Sequence, residues 1–146
     1  MKYLYIKEVR VKVKTKVIIN IFLSASFAGM FMMAACDDTL TNIDSVVIPS
    51  KNVSYSQHID PVLQRKCAVA GCHDDQSRLG NLSLTSWANT TTSYLVVAPG
   101  LPQNSSLLLS VQGLTTNPMP PVGLTPFNQN QVEGLKTWIK EGAKNN

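Results

Sequence analysis

Two cysteines and a histidine stand close together near the middle of the chain, in the segment Cys67-Ala-Val-Ala-Gly-Cys72-His73. Thiols and imidazoles in this order can attach a haem: each of the two cysteines forms a thioether, and the histidine binds the iron. The common signal has two residues between the cysteines, whereas this segment has four. Three of these four are alanine or glycine, and small side chains leave room for a longer loop to reach one haem edge. The segment is therefore a candidate for covalent haem attachment.

The same residues suit two other kinds of site. In an oxidising compartment Cys67 and Cys72 would form a disulfide, which gives His73 no role. Zinc bound by Cys67, Cys72, His73 and His58 is the other alternative, although adjacent cysteine and histidine residues rarely both reach one tetrahedral ion. The spacing alone does not choose among these three.

Length and charge distribution restrict the classes of protein to which the chain can belong. Its 146 residues are enough for one ordinary domain. The net charge is +4, but six of the thirteen lysines and arginines fall in the first sixteen residues. From Cys36 onward there are seven basic and eight acidic residues, so the basic charge belongs to the N-terminal segment. A nucleic-acid partner is therefore not expected.

The N-terminal segment has the pattern of an export signal. Basic residues precede an apolar run over residues 17–33, and two alanines then lead into Cys36. Small residues before a cysteine resemble the lipobox of bacterial lipoproteins, in which that cysteine is acylated and becomes the mature N-terminus. We therefore expect a signal peptide over residues 1–35, lipid at Cys36 and a location outside the cytoplasm. The alternatives are an uncleaved anchor helix, or ordinary cleavage before an unlipidated Cys36.

The remaining chain divides by composition into a linker and a domain. Residues 36–52 are polar and mixed, and they predict a flexible tether between the lipid and the domain. Residues 53–146 predict a helical domain. Its first helix has Ser54 and Gln57 at capping-box spacing and either kinks at Pro61 or begins there. His58 on this helix is interpreted as a surface or hydrogen-bonding histidine.

Three more helices are predicted after the cysteines. A short one near residues 85–88 contains Trp87 as a core residue, and another runs to Val111 with Ser105 or Ser106 as its cap. The last begins at Asn128, with Gln131 completing a capping pair, and its apolar stripe comprises Val132, Leu135, Trp138, Ile139 and Gly142. Gly134 in this helix suggests close approach of another backbone, as expected if the last helix crosses the first.

Met119 is the second residue with potential for metal chemistry. It lies in Asn117-Pro118-Met119-Pro120-Pro121, where the prolines stiffen the chain and can aim a thioether. It is also the only methionine after Cys36. A core methionine that fills a gap is the alternative interpretation. If His73 binds a haem iron, Met119 is the best-placed second ligand, with His58 as the alternative.

Over residues 54–143 the chain resembles the small c-type cytochrome domains of class I, especially a bacterial variety found in secreted proteins and lipoproteins. The landmarks that carry this resemblance are, in chain order, Ile59-Asp60-Pro61, the two attachment cysteines, Pro99-Gly100 followed by Ser106-Leu107, Met119-Pro120-Pro121, and Trp138-Ile139 with Gly142-Ala143.

The resemblance implies an all-α cytochrome c-like fold, with crossed first and last helices around one haem c. Cys67 and Cys72 would hold the haem covalently, and His73 and Met119 would be its axial ligands. It implies a one-electron carrier rather than an enzyme, with redox proteins as partners. The lipid at Cys36 would anchor it on the periplasmic or outer-membrane side.

Two other functions remain open at this point. If Met119 does not bind the iron, the open position could serve gas sensing or peroxide chemistry. If no haem is present, a Cys67–Cys72 disulfide would leave a lipoprotein that acts as a binding module.

Overall fold

The computed structural model of the protein describes residues 42–146, and these form one compact unit. Every regular element in this part of the chain is helical, which confirms the all-α prediction for it. The α-helices are α1 (Asp60–Lys66), α2 (Trp87–Thr90), α3 (Ser106–Val111) and α4 (Gln129–Lys140), and shorter helical turns cover Ile43–Ser45, Tyr55–Ile59, Leu79–Asn81 and Pro102–Asn104. No helix among residues 42–146 is long and apolar enough to cross a membrane. The predicted signal peptide and Cys36 lie outside the described residues.

The first helix starts with a π-helical turn, Tyr55–Ile59, that runs directly into α1. Ser54 caps it as predicted, because its hydroxyl accepts a hydrogen bond from the Gln57 N–H at 3.3 Å. Pro61 lies in the first turn of α1. Proline therefore marks the change from π to α geometry rather than a break in the chain. The predicted apolar face is buried: Tyr55, Ile59, Val62, Leu63 and Cys67.

The first helix packs against α4, and the contact between the first and last helices is thereby confirmed. The rings of Tyr55 and Trp138 lie with their centroids 5.4 Å apart and tilted by 41°. The C-terminal residue reinforces the contact, since the Asn146 side chain accepts from the Tyr55 N–H at 2.9 Å and its carbonyl accepts from the Ser54 hydroxyl at 2.7 Å. The two ends of the domain are thus held together around the core.

The capping box predicted for α4 is present in both directions. The Asn128 side chain accepts from the Gln131 N–H at 2.9 Å, and the Gln131 side chain accepts from the Asn128 N–H at 3.1 Å. Leu135, Trp138 and Ile139 are almost fully buried and Val132 is half-buried, so these four form the face that α4 turns to the core. The prediction is wrong for Gly142, which is exposed and lies beyond the end of α4.

Gly134 does make a close approach, but to a different neighbour from the one predicted. A Cβ added at Gly134 would lie 2.8 Å from Ile48 Cβ and Cδ1 and closer still to Ile48 Cγ2. The glycine therefore accommodates a side chain from the residues before the first helix, not the backbone of that helix.

Residues 42–53, which we call the N-terminal strap, pack on the domain instead of forming a flexible tether. Ile48 is only 4 % exposed, and the Asn130 side chain brackets it by accepting from its N–H at 2.7 Å and donating to its carbonyl at 2.9 Å. Lys66 binds Asp44 at 2.7 Å. The tether prediction is therefore wrong for residues 42–52, because one apolar residue and paired polar groups anchor an otherwise polar segment.

The central helices are close to the predicted positions, but the hydroxyl of Ser105 does not cap the second of them. Helix α2 begins at Trp87, whose indole N–H donates to the Ala143 carbonyl at 2.8 Å. Ser105 precedes α3 without capping it, since its buried hydroxyl accepts from the Ala98 N–H at 2.9 Å and donates to the Leu101 carbonyl at 3.2 Å. That hydroxyl fixes the turn that brings α3 back to the core.

Candidate functional site

An open cavity of about 120 Å³ brings together three of the four predicted haem-binding residues. Cys67, His73 and Met119 all lie in its lining, although the last is separated by more than forty residues from the other two. The rest of the lining consists of the apolar residues Leu82, Leu84, Val96, Leu107 and Val111 and the hydroxyl residues Ser106 and Ser110. The cavity is smaller than the roughly 300–1,000 Å³ typical of small-molecule and cofactor sites. We refer to it as the main cavity because it holds the candidate ligands; a second, more polar cavity lined by Arg78, Ser83 and Asn89 is larger.

Cys67 enters the main cavity from the C-terminal end of α1. Its N–H donates to the Leu63 carbonyl at 2.9 Å, so the helix fixes its backbone. The side chain is buried, and burial raises the pKa of its thiol to about 12, with the nearby Cys72 thiol adding to the shift. At neutral pH Cys67 is therefore a neutral thiol in apolar surroundings.

The loop between the two cysteines is closed by backbone hydrogen bonds. The His73 N–H donates to the Cys67 carbonyl at 3.1 Å, and the Cys72 N–H donates to the Val69 carbonyl at 3.0 Å. Gly71 has φ +84°, a conformation that suits glycine, and its N–H donates to the Ser77 hydroxyl at 2.9 Å. The four-residue spacer thus forms a defined turn. Cys72 is half-buried and directly precedes His73 in the sequence. It is nevertheless not among the residues that line the main cavity.

His73 is held by both its ring and its backbone. Its Nδ1 lies 3.3 Å from the Leu82 carbonyl, and its own carbonyl accepts from the Leu84 N–H at 2.9 Å. A carbonyl only accepts, so Nδ1 carries the proton in this pair and Nε2 keeps a free lone pair. That is the arrangement in which an imidazole can bind a metal through Nε2.

Met119 reaches the main cavity from a loop that is otherwise mostly exposed. It is half-buried, and its N–H donates to the carbonyl of Ser110, another lining residue, at 2.9 Å. This bond ties the proline-rich loop to α3. The loop therefore places Met119 in the lining of the main cavity.

His58 lies apart from the residues that line the main cavity and serves as a hydrogen-bonding histidine. Its Nδ1 accepts from the Ser54 N–H at 2.9 Å, which completes the start of the first helix. It is not among the residues that line the main cavity, so the structure offers no support for His58 as an alternative iron ligand.

The two alternatives for the cysteines receive no support from the described residues. Within residues 42–146, no three or more His, Cys, Asp or Glu side chains are grouped as a metal site, although all four candidate zinc ligands belong to this part. Cys67 and Cys72 are both free thiols in the structure.

The segment Leu82-Ser83-Leu84-Thr85 positions His73, and the sequence analysis missed it. Leu82 and Leu84 line the main cavity, whereas the hydroxyls of Ser83 and Thr85 donate to Asp75 Oδ1 at 2.7 and 2.9 Å. The alternation of leucine with hydroxyl residues was the available signal, since an extended chain turns successive side chains to opposite sides.

Comparison of the chain with protein-family models, with curated proteins and with solved structures found no match. The resemblance to class I cytochromes c consequently remains a prediction from the sequence landmarks.

Proposed function

We propose that this protein is an extracytoplasmic carrier of single electrons that holds one haem c in its main cavity. The observation that supports this proposal best is the convergence of Cys67, His73 and Met119 on one apolar cavity. A thiol, an imidazole and a thioether are the three side-chain types that attach haem c and bind its iron on both faces.

The residues present fit such a group chemically. Cys67 and Cys72 would hold it through thioethers, His73 would bind the iron through Nε2, and Met119 would bind it through its sulfur. The haem iron supplies a centre that gains and loses one electron. The apolar lining disfavours the more highly charged ferric state, and a neutral thioether does the same, so both raise the reduction potential.

The proposed ligand pair favours electron transfer over catalysis. With His73 and Met119 both bound, neither face of the iron is open to oxygen or peroxide. A redox protein is then the expected partner, and no substrate needs to enter the cavity.

Lipid at Cys36 would keep this carrier close to the membrane. Because the N-terminal strap packs on the domain from residue 42, six residues (36–41) would separate the lipid from the packed part of the chain. Six residues span at most about 20 Å when fully extended. The domain would therefore reach only redox partners that expose their own centres near the same membrane surface. A Cys36→Ser variant tests the anchor: it should leave the membrane fraction or remain uncleaved, and anchored, cleaved protein would contradict acylation.

The carrier assignment can be tested on the full chain exported in a host with haem c maturation. A spectroelectrochemical titration should fit a single one-electron transition, and carbon monoxide should leave the ferrous spectrum unchanged. A spectrum that shifts with carbon monoxide would instead show an open distal position, as expected for gas sensing or peroxide chemistry.

A further inference from the structure

His73 belongs to a closed circuit of hydrogen bonds that runs through the segment from residue 82 to residue 85. The Leu82 carbonyl accepts from His73 Nδ1 at 3.3 Å, and the Leu84 N–H donates to the His73 carbonyl at 2.9 Å. Ser83 lies between these two contacts and is only 5 % exposed. A contact that holds Ser83 in place therefore also holds the Leu82 carbonyl and the Leu84 N–H, the two groups that bind His73.

Asp75 is the residue that fixes Ser83. Its Oδ1 accepts from the hydroxyls of Ser83 at 2.7 Å and Thr85 at 2.9 Å and from the Asn89 amide at 3.2 Å, while Arg78 lies 3.7 Å away. The three donors also contact one another, with the Asn89 amide 3.0 Å from the Thr85 hydroxyl. One carboxylate oxygen thus collects donors from the segment and from helix α2.

We infer that Asp75 is a positioning residue for His73, acting through Ser83 on the Leu82 carbonyl. The inference rests on the proposed function only for its redox consequence. The circuit runs from the His73 ring to the Leu82 carbonyl, along the backbone to Ser83, and from the Ser83 hydroxyl to the Asp75 carboxylate. Because Asp75 follows His73 by two residues, the circuit ends on the stretch of backbone where it began. Such a circuit fixes both the plane of the imidazole and the nitrogen that carries its proton.

Asp75 influences the metal-binding nitrogen through this geometry. A carbonyl that accepts from Nδ1 makes Nε2 a better electron donor. When the segment loses Ser83 as its anchor, the Leu82 carbonyl moves and Nδ1 exchanges its partner for water. Nε2 then donates less strongly, the ferric state loses stabilisation, and the reduction potential rises.

The test compares two matched pairs of variants. Asp75→Ala removes the acceptor, whereas Asp74→Ala removes an adjacent carboxylate that accepts from the Ser77 N–H at 2.8 Å and does not contact Ser83. Ser83→Ala removes the donor, whereas Ser83→Thr keeps a hydroxyl at the same place. Circular dichroism checks that all four remain helical.

The first measurement uses the chain without haem, with its thiols kept reduced. Nitrogen-15 spectra of the imidazoles should show His73 protonated at Nδ1 in the wild type, in Asp74→Ala and in Ser83→Thr. Asp75→Ala and Ser83→Ala should show a mixture of both tautomers. The same tautomer in all five proteins would overturn the inference, and this outcome can be observed even if the protein never binds haem.

The second measurement uses the haem-loaded protein. Asp75→Ala and Ser83→Ala should raise the midpoint potential and speed exchange of the His73 Nδ1 proton by roughly two- to tenfold, the range that corresponds to one net hydrogen bond. Their matched controls should do neither. Equal shifts in Asp74→Ala and Asp75→Ala would reduce Asp75 to a general contribution to loop stability and would contradict the specific role. A protein that takes up no haem would overturn the proposed function and leave the tautomer result to decide this inference.

Discussion

The two walls of the main cavity that carry the candidate ligands are built very differently. On one side His73 is held by three hydrogen bonds to backbone groups, at 3.3, 3.1 and 2.9 Å, and by the network around Asp75. On the other side the backbone bond from Met119 to Ser110 at 2.9 Å is what links the ligand to a helix. Around Met119 the loop is open to solvent, with Leu114 69 % and Val122 fully exposed.

The difference shows two ways of placing a ligand. His73 is placed by hydrogen bonds to its ring and its backbone, whereas Met119 is placed by the stiffness of Pro118 and Pro120 in a loop with little burial. A loop with few buried contacts opens at lower cost than a packed segment. We therefore expect the Met119 side to open before the His73 side when the folded protein is stressed.

The largest effect is expected from removing the well-fixed ligand. His73→Ala should abolish the low-spin haem spectrum, because the variant offers no second nitrogen at that place in the main cavity. The visible spectra of both oxidation states measure this. His58→Ala is the matched control and should keep the low-spin spectrum, since His58 serves the start of the first helix. A low-spin spectrum that survives in His73→Ala would disprove its assignment as a ligand.

A smaller effect is expected on the looser wall. Met119→Ala should retain covalent haem, lose the far-red absorption of a methionine bound to ferric iron, and lower the midpoint potential because a neutral thioether favours the ferrous state. Leu114→Ala, a change at an exposed position in the same loop, should alter neither property. An unchanged far-red band in the Met119 variant would show that the sulfur does not bind iron.

A gradual denaturant titration would sharpen the comparison between the walls. The far-red band should disappear at a lower urea concentration than the helical circular dichroism signal, because the Met119 loop opens locally. Coincident loss of both signals would mean that the two walls are equally fixed.

Both walls depend on the same set of packed helices. A substitution at Gly134 tests how tightly the N-terminal strap packs against these helices. Gly134→Ala should destabilise the protein by about 1–3 kcal/mol, because the new methyl group would overlap with Ile48. Urea unfolding measures this loss. Lys136→Ala on the exposed face of the same helix should change stability by no more than about 0.5 kcal/mol.

The Gly134 result can be assigned to the strap with a second variant. Ile48→Ala combined with Gly134→Ala should be less destabilised than the sum of the two single changes, since the overlaps with Ile48 Cγ2 and Cδ1 are then removed. Additive losses would contradict the contact between α4 and the strap.

The smallest effect is the pH dependence of stability that arises from Tyr55 in the first helix. Burial raises the pKa of Tyr55 from 10.0 to about 12, although the hydrogen bond to Thr90 opposes the shift. The folded state therefore favours the neutral phenol, so the stabilisation is fully present below pH 10 and is lost as the pH rises through about 12. Tyr55→Phe should flatten the fall in unfolding free energy between pH 10 and 12. An equal fall in the variant would assign the slope to other groups.

The helical frame could be predicted from the sequence because its signals are local. Ser54 and Asn128 cap helices within three residues of themselves, and the apolar stripes repeat at helical spacing. The strap could not be predicted in the same way, since two buried residues, Ile48 and Val53, anchor it through contacts with residues more than eighty positions away. Gly134 signalled close packing, but nothing in the sequence identified its partner.

In the candidate site, too, some features could be predicted from the sequence and others could not. Residue type singled out Cys67, His73 and Met119, and the fold brings them together in one cavity. The support for His73 was missed because it comes from a carbonyl, which has no sequence signature, and from a carboxylate whose partners follow eight to fourteen residues later. The position of Cys72 beyond the lining also depends on the turn of the four-residue spacer, which residue types alone do not specify.

The most direct test of the proposed function asks whether haem is bound covalently. The full chain would be exported in a host with haem c maturation, denatured, and extracted with acidified acetone, beside a Cys67→Ala/Cys72→Ala double variant. We predict that haem stays with the wild-type polypeptide and is extracted from, or absent in, the double variant. Haem that is absent from the wild type, or that leaves it on extraction, would contradict a c-type cytochrome and with it the account of the main cavity.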